Sequence, residues 1–386
     1  MASVLQQAGH PATHSESTIT SSSQSLSNVS EFPFELFSIP GERRVHGHVF
    51  PLGIRVKPGV VLDNLDTAVV AIEELAGTPL FTQLVTNSGA ILFRGLPVTT
   101  AEDFSKVAKA FKYPQPHQEV GLSGKRSTLG DNVKTANEEP PHVKFYFHNE
   151  YGRSAHFPGI LFFNSQKVPD EGGQTPLLST IELYDRVKEE LPEFLANLIE
   201  KGIAGRQYYP AKDDPEAKTI GWNWRDSYGF DIQDTDDLET QRRKVEHTLK
   251  TRLSAEAEWQ PNGALHVLQK LPAVRRIGTT GQPVLFNGLG GVYGRQRDRE
   301  ALDPPHRGND GQIHLPTTYG DGSPIPYDAL ERYLEISGDI GFLVPWENGD
   351  VALVNNYTVQ HARTPWKGER SLLVSLWDGH EKFVPY

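Results

Sequence analysis

Residues 144–166 read KFYFHNEYGRSAHFPGILFFNSQ. Two aromatic-rich runs, at 143–148 and 159–165, flank a segment with Gly, Pro and Asn, the pattern of consecutive β-strands. His148 and Glu150 lie two residues apart on the first run. Side chains two apart on a strand project from one face, so an imidazole and a carboxylate there can converge on one cation. Two ligands do not make a site, and H-x-E alone occurs by chance in many proteins. Residues 348–377, NGDVALVNNYTVQHARTPWKGERSLLVSLW, offer a third ligand, His361, just after an apolar strand. The chain has no cysteine, which removes thiolate sites, disulfides and cysteine nucleophiles, so any metal must sit on His and carboxylate groups.

Working outward, further strand-like runs fall at 283–287, 340–344, 350–355 and 370–377, mostly bounded by Gly, Pro, Asn or Asp. The stretch 65–111 reads as helix, the short strand AILFRG, and a second amphipathic helix opened by Thr99-Thr100-Ala101-Glu102. Residues 181–201 are predicted helical, with Pro192 as an interruption or a fresh start, and 235–258 as a charged surface helix. The 35 Gly and 28 Pro also favour turns over a helical bundle. The expected fold is mainly β with flanking helices (α+β) around a double-stranded β-helix, or jelly roll. Residues 1–32, rich in Ser and Thr, are expected to be a disordered tail. Residues 33–386 then form a single catalytic domain with helical insertions at about 181–260.

The net charge of -11 and the lack of a Lys/Arg-dense stripe argue against nucleic acid as a partner. No run of about 18 apolar residues spans a bilayer, and residues 1–42 lack Lys and Arg, unlike a secretory or mitochondrial leader. The expectation is a cytoplasmic protein without a membrane partner, homo-oligomeric state left open.

Two imidazoles and one carboxylate on one face of an octahedron leave positions open for substrate and dioxygen, as mononuclear non-haem iron(II) oxygenases require. Three further segments carry a likeness: LFRGLPVTTAEDFSKVAKAF at 92–111, GGQTPLLST at 172–180, and H-x-R-x-P-W-x-x-x-R from His361 to Arg370. With EWQPNGALHVLQKLPAVRRIGTTGQPVLFN at 258–287, their order and spacing resemble the taurine dioxygenase and clavaminate synthase-like family from about residue 60 to 380. His148-Asn149-Glu150 places the chain nearer the clavaminate synthase-like branch, where the acidic ligand is Glu. The resemblance implies iron(II) on His148, Glu150 and His361, with 2-oxoglutarate as co-substrate and dioxygen as oxidant. It also implies that Arg370 grips the distal carboxylate of 2-oxoglutarate with a two-pronged guanidinium contact and that Thr175 donates its hydroxyl to the same group. Arg363 rivals Arg370, which is preferred because it opens the strand RSLLVSLW.

The resemblance implies a small, amino-acid-like or carboxylated substrate, with secondary metabolism among the settings the family allows, oxidised at a C–H bond by hydroxylation, desaturation or cyclisation. Tyr146, Tyr151, Phe157 and Trp224, with Trp222, are candidates to line its cavity, although packing is the commoner fate of such aromatics. Asn137 resembles a pocket-edge position, and Arg153, Arg206 and Arg225 are candidate cations. His142 and His156 flank the metal strand, and the other histidines read as surface or loop residues. GLGGVYG at 288–294 has no following Lys-Ser/Thr and reads as a flexible active-site loop rather than a phosphate loop. Two other classes stay open at this point: a zinc hydrolase with the same ligands, and a non-catalytic binder on the same fold.

Overall fold

The computed structural model describes residues 28–386 apart from 61, 63, 122–125 and 137. Eight strands build the centre: β1 (Val133–Thr135), β2 (Phe145–His148), β3 (Ile160–Lys167), β4 (Pro176–Ser179), β5 (Phe342–Leu343), β6 (Val351–Asn355), β7 (Val359–Arg363) and β8 (Ser371–Trp377). They fall into two antiparallel sheets of order β6-β3-β8-β1 and β5-β4-β7-β2. That interleaving is the jelly roll expected from the sequence. Strands Ala90–Arg94, Leu52–Val56 and Phe34–Phe37 extend the larger sheet beyond β6, and Thr128–Gly130 extends it beyond β1.

Why the central strands read as unbroken apolar runs follows from their two covered faces. Along β3, Leu161 and Phe163 point between the sheets with Leu177, Val354 and Leu376, whereas Ile160 and Phe162 point outward. The outward face packs on helices Leu65–Ala76, Pro79–Ser88 and Ala101–Ala110 through Ile72, Leu84, Phe104 and Val107. Each helix start is a side-chain cap: Asn64 accepts from Thr67 N, Thr78 accepts from Phe81 N, and Thr100 forms a capping box with Asp103. Among the described residues no single helix is long and apolar enough to cross a membrane.

Between β4 and β5 the chain leaves the jelly roll for a large insertion. It carries helices Thr180–Glu190, Pro192–Lys201, Leu289–Asp298 and Tyr327–Asp339, and a sheet of strands Glu256–Trp259, Leu265–Leu271, Ile203–Tyr209 and Thr317–Tyr319. One open alternative is resolved here and three sequence expectations are corrected. Pro192 starts a new helix, its missing N–H being harmless in a first turn. The insertion is mixed rather than helical, because Tyr209, Leu265 and Val267 bury one face of its sheet. The helix predicted over 235–258 spans Leu238–Thr248, winds through a π turn at Leu249–Leu253, and gives way to a strand. Residues 28–32 belong to the folded part: Asn28–Glu31 form a 3-10 turn that buries Val29 completely. The tail expected over residues 1–27 lies outside the described residues.

Candidate metal centre

The two histidines meet because β2 and β7 pair: His148 stands directly opposite His361 in the antiparallel register. Their ring centroids lie 4.5 Å apart. Glu150 adds an oxygen 3.3 Å from His361 Nε2, and one ligand atom from each of the three lies within 4.8 Å of the others. Glu150 and His361 are buried, His148 partly so.

Glu150 does not reach this point along a strand. β2 ends at His148, and Glu150 sits in the turn that follows, with Tyr151 at φ 54°. Buried amides hold that turn. The Asn149 side chain donates to Asn356 O (2.8 Å) and Val359 O (3.2 Å) and accepts from Asn287 N (3.0 Å) and Gln360 Nε2 (3.1 Å). Asn356 Oδ1 accepts from Glu150 N (2.9 Å), and its amide donates to Glu150 O (3.0 Å). Sequence reading missed these four residues. The signal available was Asn287 closing one apolar run and Asn356 closing another, polar groups that a core admits only with partners.

Electrostatics favour a cation at the centre of the triad. Burial, then the neighbouring His361, pushes His148 down to about 4, so its ring is neutral at pH 7. Its Nδ1 faces Tyr146 O at 2.8 Å, which turns Nε2 toward the other two groups. Burial alone would raise Glu150, but Arg126, whose Nη2 donates to Glu150 Oε1 at 2.8 Å, and then the imidazoles hold its carboxyl well below the usual range. Imidazole nitrogens beside an ionised carboxylate are the donor set that iron(II) accepts. Arg126 also lies 3.5 Å from Glu119, itself ion-paired with Lys134.

His148, Glu150, His361 and Arg126 line one cavity of about 290 Å³ between the jelly roll and the insertion. Thr175 and Arg370 line it too. Thr175 is buried and its oxygen accepts from Trp346 Nε1 at 3.3 Å, which leaves the hydroxyl proton to donate elsewhere. Arg370 donates through Nε to Gly173 O (2.9 Å), lies over Trp366, and meets no carboxylate among the described residues; burial pushes it down to about 10. Arg363 differs. Its guanidinium is capped by the carbonyl oxygens of Glu139, Pro140 and Val143 and packs on Phe145 and Trp366.

Tyr146 and Tyr151 line the cavity, their hydroxyls donating to Asp298 and Glu119 at 2.8 Å. Two expectations fail. Phe157 points away into an aromatic cluster with Phe286, Tyr357 and Phe383. Trp224 is core, donating to Gly263 O and standing edge-on to Trp259, while its neighbour Trp222 reaches the cavity. In both cases apolar burial in a satellite core outweighs exposure to a cavity. His156 bonds Gln118 O and stacks on His117, away from the triad. Asn137 lies outside the described residues.

GLGGVYG is not a loop. It begins the helix Leu289–Asp298, which packs against β2 with its glycines inward. A Cβ on Gly294 would stand 2.3 Å from Tyr146 Cδ2, and one on Gly291 would stand 3.6 Å from His148 Cβ. The run was misread because the helix is favoured by close approach rather than by propensity.

Residues 58–377 match the sequence model of the family described as taurine catabolism dioxygenase TauD, TfdA. The clavaminate synthase-like protein At3g21360 of Arabidopsis thaliana is 33% identical over 311 residues, 77% of this chain and 87% of the relative. The dapdiamide synthesis protein DdaC of Enterobacter agglomerans is 24% identical over 327 residues, 83% of this chain and 92% of the relative. Among solved structures, a taurine dioxygenase from Burkholderia xenovorans aligns at 15% identity and a TM-score of 0.42, covering 85% of this chain and 86% of that one.

Proposed function

The chain belongs to the taurine catabolism dioxygenase TauD, TfdA family, which uses iron(II) and 2-oxoglutarate, and from that premise we propose that it oxidises a C–H bond of a small, amino-acid-like or carboxylated molecule. Hydroxylation, desaturation and oxidative cyclisation all fit this reading, and the likeness to a dapdiamide synthesis protein supports a place in secondary metabolism.

The observation that carries the reading is the β2–β7 register, which sets His148 opposite His361 beside Glu150 in a cavity that also holds Arg370, which pairs with no acid among the described residues. His148, Glu150 and His361 would hold the metal, the imidazoles through Nε2 and the carboxylate through an oxygen not engaged by Arg126. Bound there, the metal supplies the oxidative decarboxylation of 2-oxoglutarate to succinate and carbon dioxide together with oxidation of the substrate. Arg370 would take the distal carboxylate of 2-oxoglutarate in a forked contact, with the Thr175 hydroxyl as a third donor. Arg363 suits this less, since its donors already meet three carbonyl oxygens. The walls around the triad limit water at the reacting centre.

The test is substrate-triggered succinate release and oxygen consumption with iron(II) and ascorbate, screened over a library of small acids. His361→Ala is expected to abolish it. Near-normal turnover in that variant, or full activity with zinc and no oxygen uptake, refutes the assignment.

A further inference from the structure

Six arginines line the cavity: Arg126, Arg153, Arg206, Arg295, Arg363 and Arg370. Most are already satisfied. Arg126 meets Glu150, Arg206 grips Glu258 with two bonds of 2.8 and 3.0 Å, Arg295 meets Glu139 at 2.8 Å, and Arg363 is capped by carbonyl oxygens. Arg225, the other candidate cation from the sequence, pairs with Asp234 and does not line the cavity.

Two guanidinium groups remain without an acid among the described residues. Arg370 lies beside Gly173 and Trp366 on the jelly-roll side. Arg153 lies on the insertion side, near the phenols of Tyr209 and Tyr228 and the guanidinium of Arg295, and makes no hydrogen bond or ion pair to a described residue. Its stem occupies space that only a glycine leaves: a Cβ on Gly288 would come within 2.8 Å of Arg153 Cγ. The phenols beside it are themselves ordered, Tyr228 donating to Tyr209 and Tyr209 to Gln207, each at 2.8 Å. Arg153 is partly exposed to the cavity, and the desolvation it does suffer depresses its guanidinium below the ordinary value, the direction expected of a cation given no anion. A charge facing a cavity, partly desolvated and without an acid beside it, costs stability that a ligand's anion can restore.

We propose that Arg153 is the specificity-determining anchor for a carboxylate on the substrate. This rests on the oxygenase reading and deepens it: two acid-free arginines on two sides of one cavity match two anions, 2-oxoglutarate at Arg370 and a substrate carboxylate at Arg153. A neutral analogue would leave Arg153 unpaired, so discrimination comes from the missing charge as much as from the contact.

The test uses full-length protein loaded with iron(II) and 2-oxoglutarate under anaerobic conditions. The probes are N-acetyl amino acids and their primary amides, and the readout is perturbation of the visible absorption of the iron–2-oxoacid chelate. Carboxylates are expected to perturb the band and matched amides to bind roughly 100-fold more weakly. Arg153→Gln should lose a similar factor for carboxylates and little for amides, with Arg153→Lys in between. Thermal unfolding without probe separates a ligand role from a structural one: Arg153→Gln should melt at the same temperature or higher. Amides binding as well as acids, no carboxylate response at millimolar concentration, unchanged acid affinity in Arg153→Gln, or a lowered melting temperature would each overturn the proposal. Failure of the wild type to form the chelate band overturns the oxygenase reading instead, and is seen before any probe is added.

Discussion

Asn149→Ala is expected to be among the most damaging single changes near the triad, although Asn149 is not proposed as a metal ligand. The side chain is 1% exposed and makes four hydrogen bonds, two as donor and two as acceptor. Truncation leaves the Asn287 N–H and the Asn356 carbonyl without their side-chain partner inside the core. The Gln360 amide keeps only long contacts of 3.4 and 3.5 Å. At roughly 1–3 kcal/mol for each of these two orphaned buried groups, the loss is about 2–6 kcal/mol, to which a small cavity term adds. Asn149 also stands between His148 and Glu150, so the turn that aims the carboxylate loosens with it. A 10- to 100-fold loss of metal affinity, about the effect of losing an outer hydrogen bond at other metal sites, is expected. Urea unfolding of the metal-free protein measures the first quantity and an iron(II) or manganese(II) titration the second. Asn149→Asp sharpens the comparison, since it keeps the acceptor but turns a second oxygen toward two carbonyls. That carboxyl should titrate high, and the variant should regain stability as pH falls. If Asn149→Ala unfolds within about 1 kcal/mol of wild type, or binds metal equally well, the amide cluster does not position Glu150.

Other outcomes follow from single contacts. Arg370→Lys keeps the charge but loses the fork, and should raise the 2-oxoglutarate requirement by about 10- to 100-fold; an unchanged requirement, with Arg363→Lys raising it instead, would reverse their roles. Gly294→Ala places a methyl 2.3–2.6 Å from three ring atoms of Tyr146, which Asp298 and Arg297 hold in place. Overpacking should cost about 1–3 kcal/mol and outweigh the roughly 1 kcal/mol that alanine gains in a helix; a melting temperature equal to wild type would show that the helix yields freely. In the metal-free protein, His148 is held at about 4 against 6.5 for a free imidazole. Unfolding therefore takes up a proton between those values, and stability should be constant above pH 6.5 and fall as pH drops toward 4. The depressed Glu150 carboxyl continues the loss below 4.5. Denaturation across that range should show a shallower slope in His148→Gln, and equal slopes in the two proteins would contradict the assignment.

The strand-rich core was legible from local pattern alone, because period and turn chemistry are local: apolar runs of strand length between Gly, Pro and Asn leave few alternatives. The sequence also narrowed the candidate donor set, since a chain without cysteine must hold a metal on His and carboxylate groups, and H-x-E at the end of an aromatic strand offers two of them. Tertiary structure decided which groups meet. The pairing of β2 with β7, the buried Asn149–Asn287–Asn356–Gln360 cluster and the glycine-lined helix against His148 join residues far apart in the chain, and no local pattern records such contacts. The fates of Phe157 and Trp224 were decided in the same way, an aromatic side chain being equally suited to a cavity wall and to a core until its neighbours are known. Arg153 shows this most plainly. As a letter in the sequence it is one cation among many, and only the folded arrangement shows that the acids have gone to its neighbours.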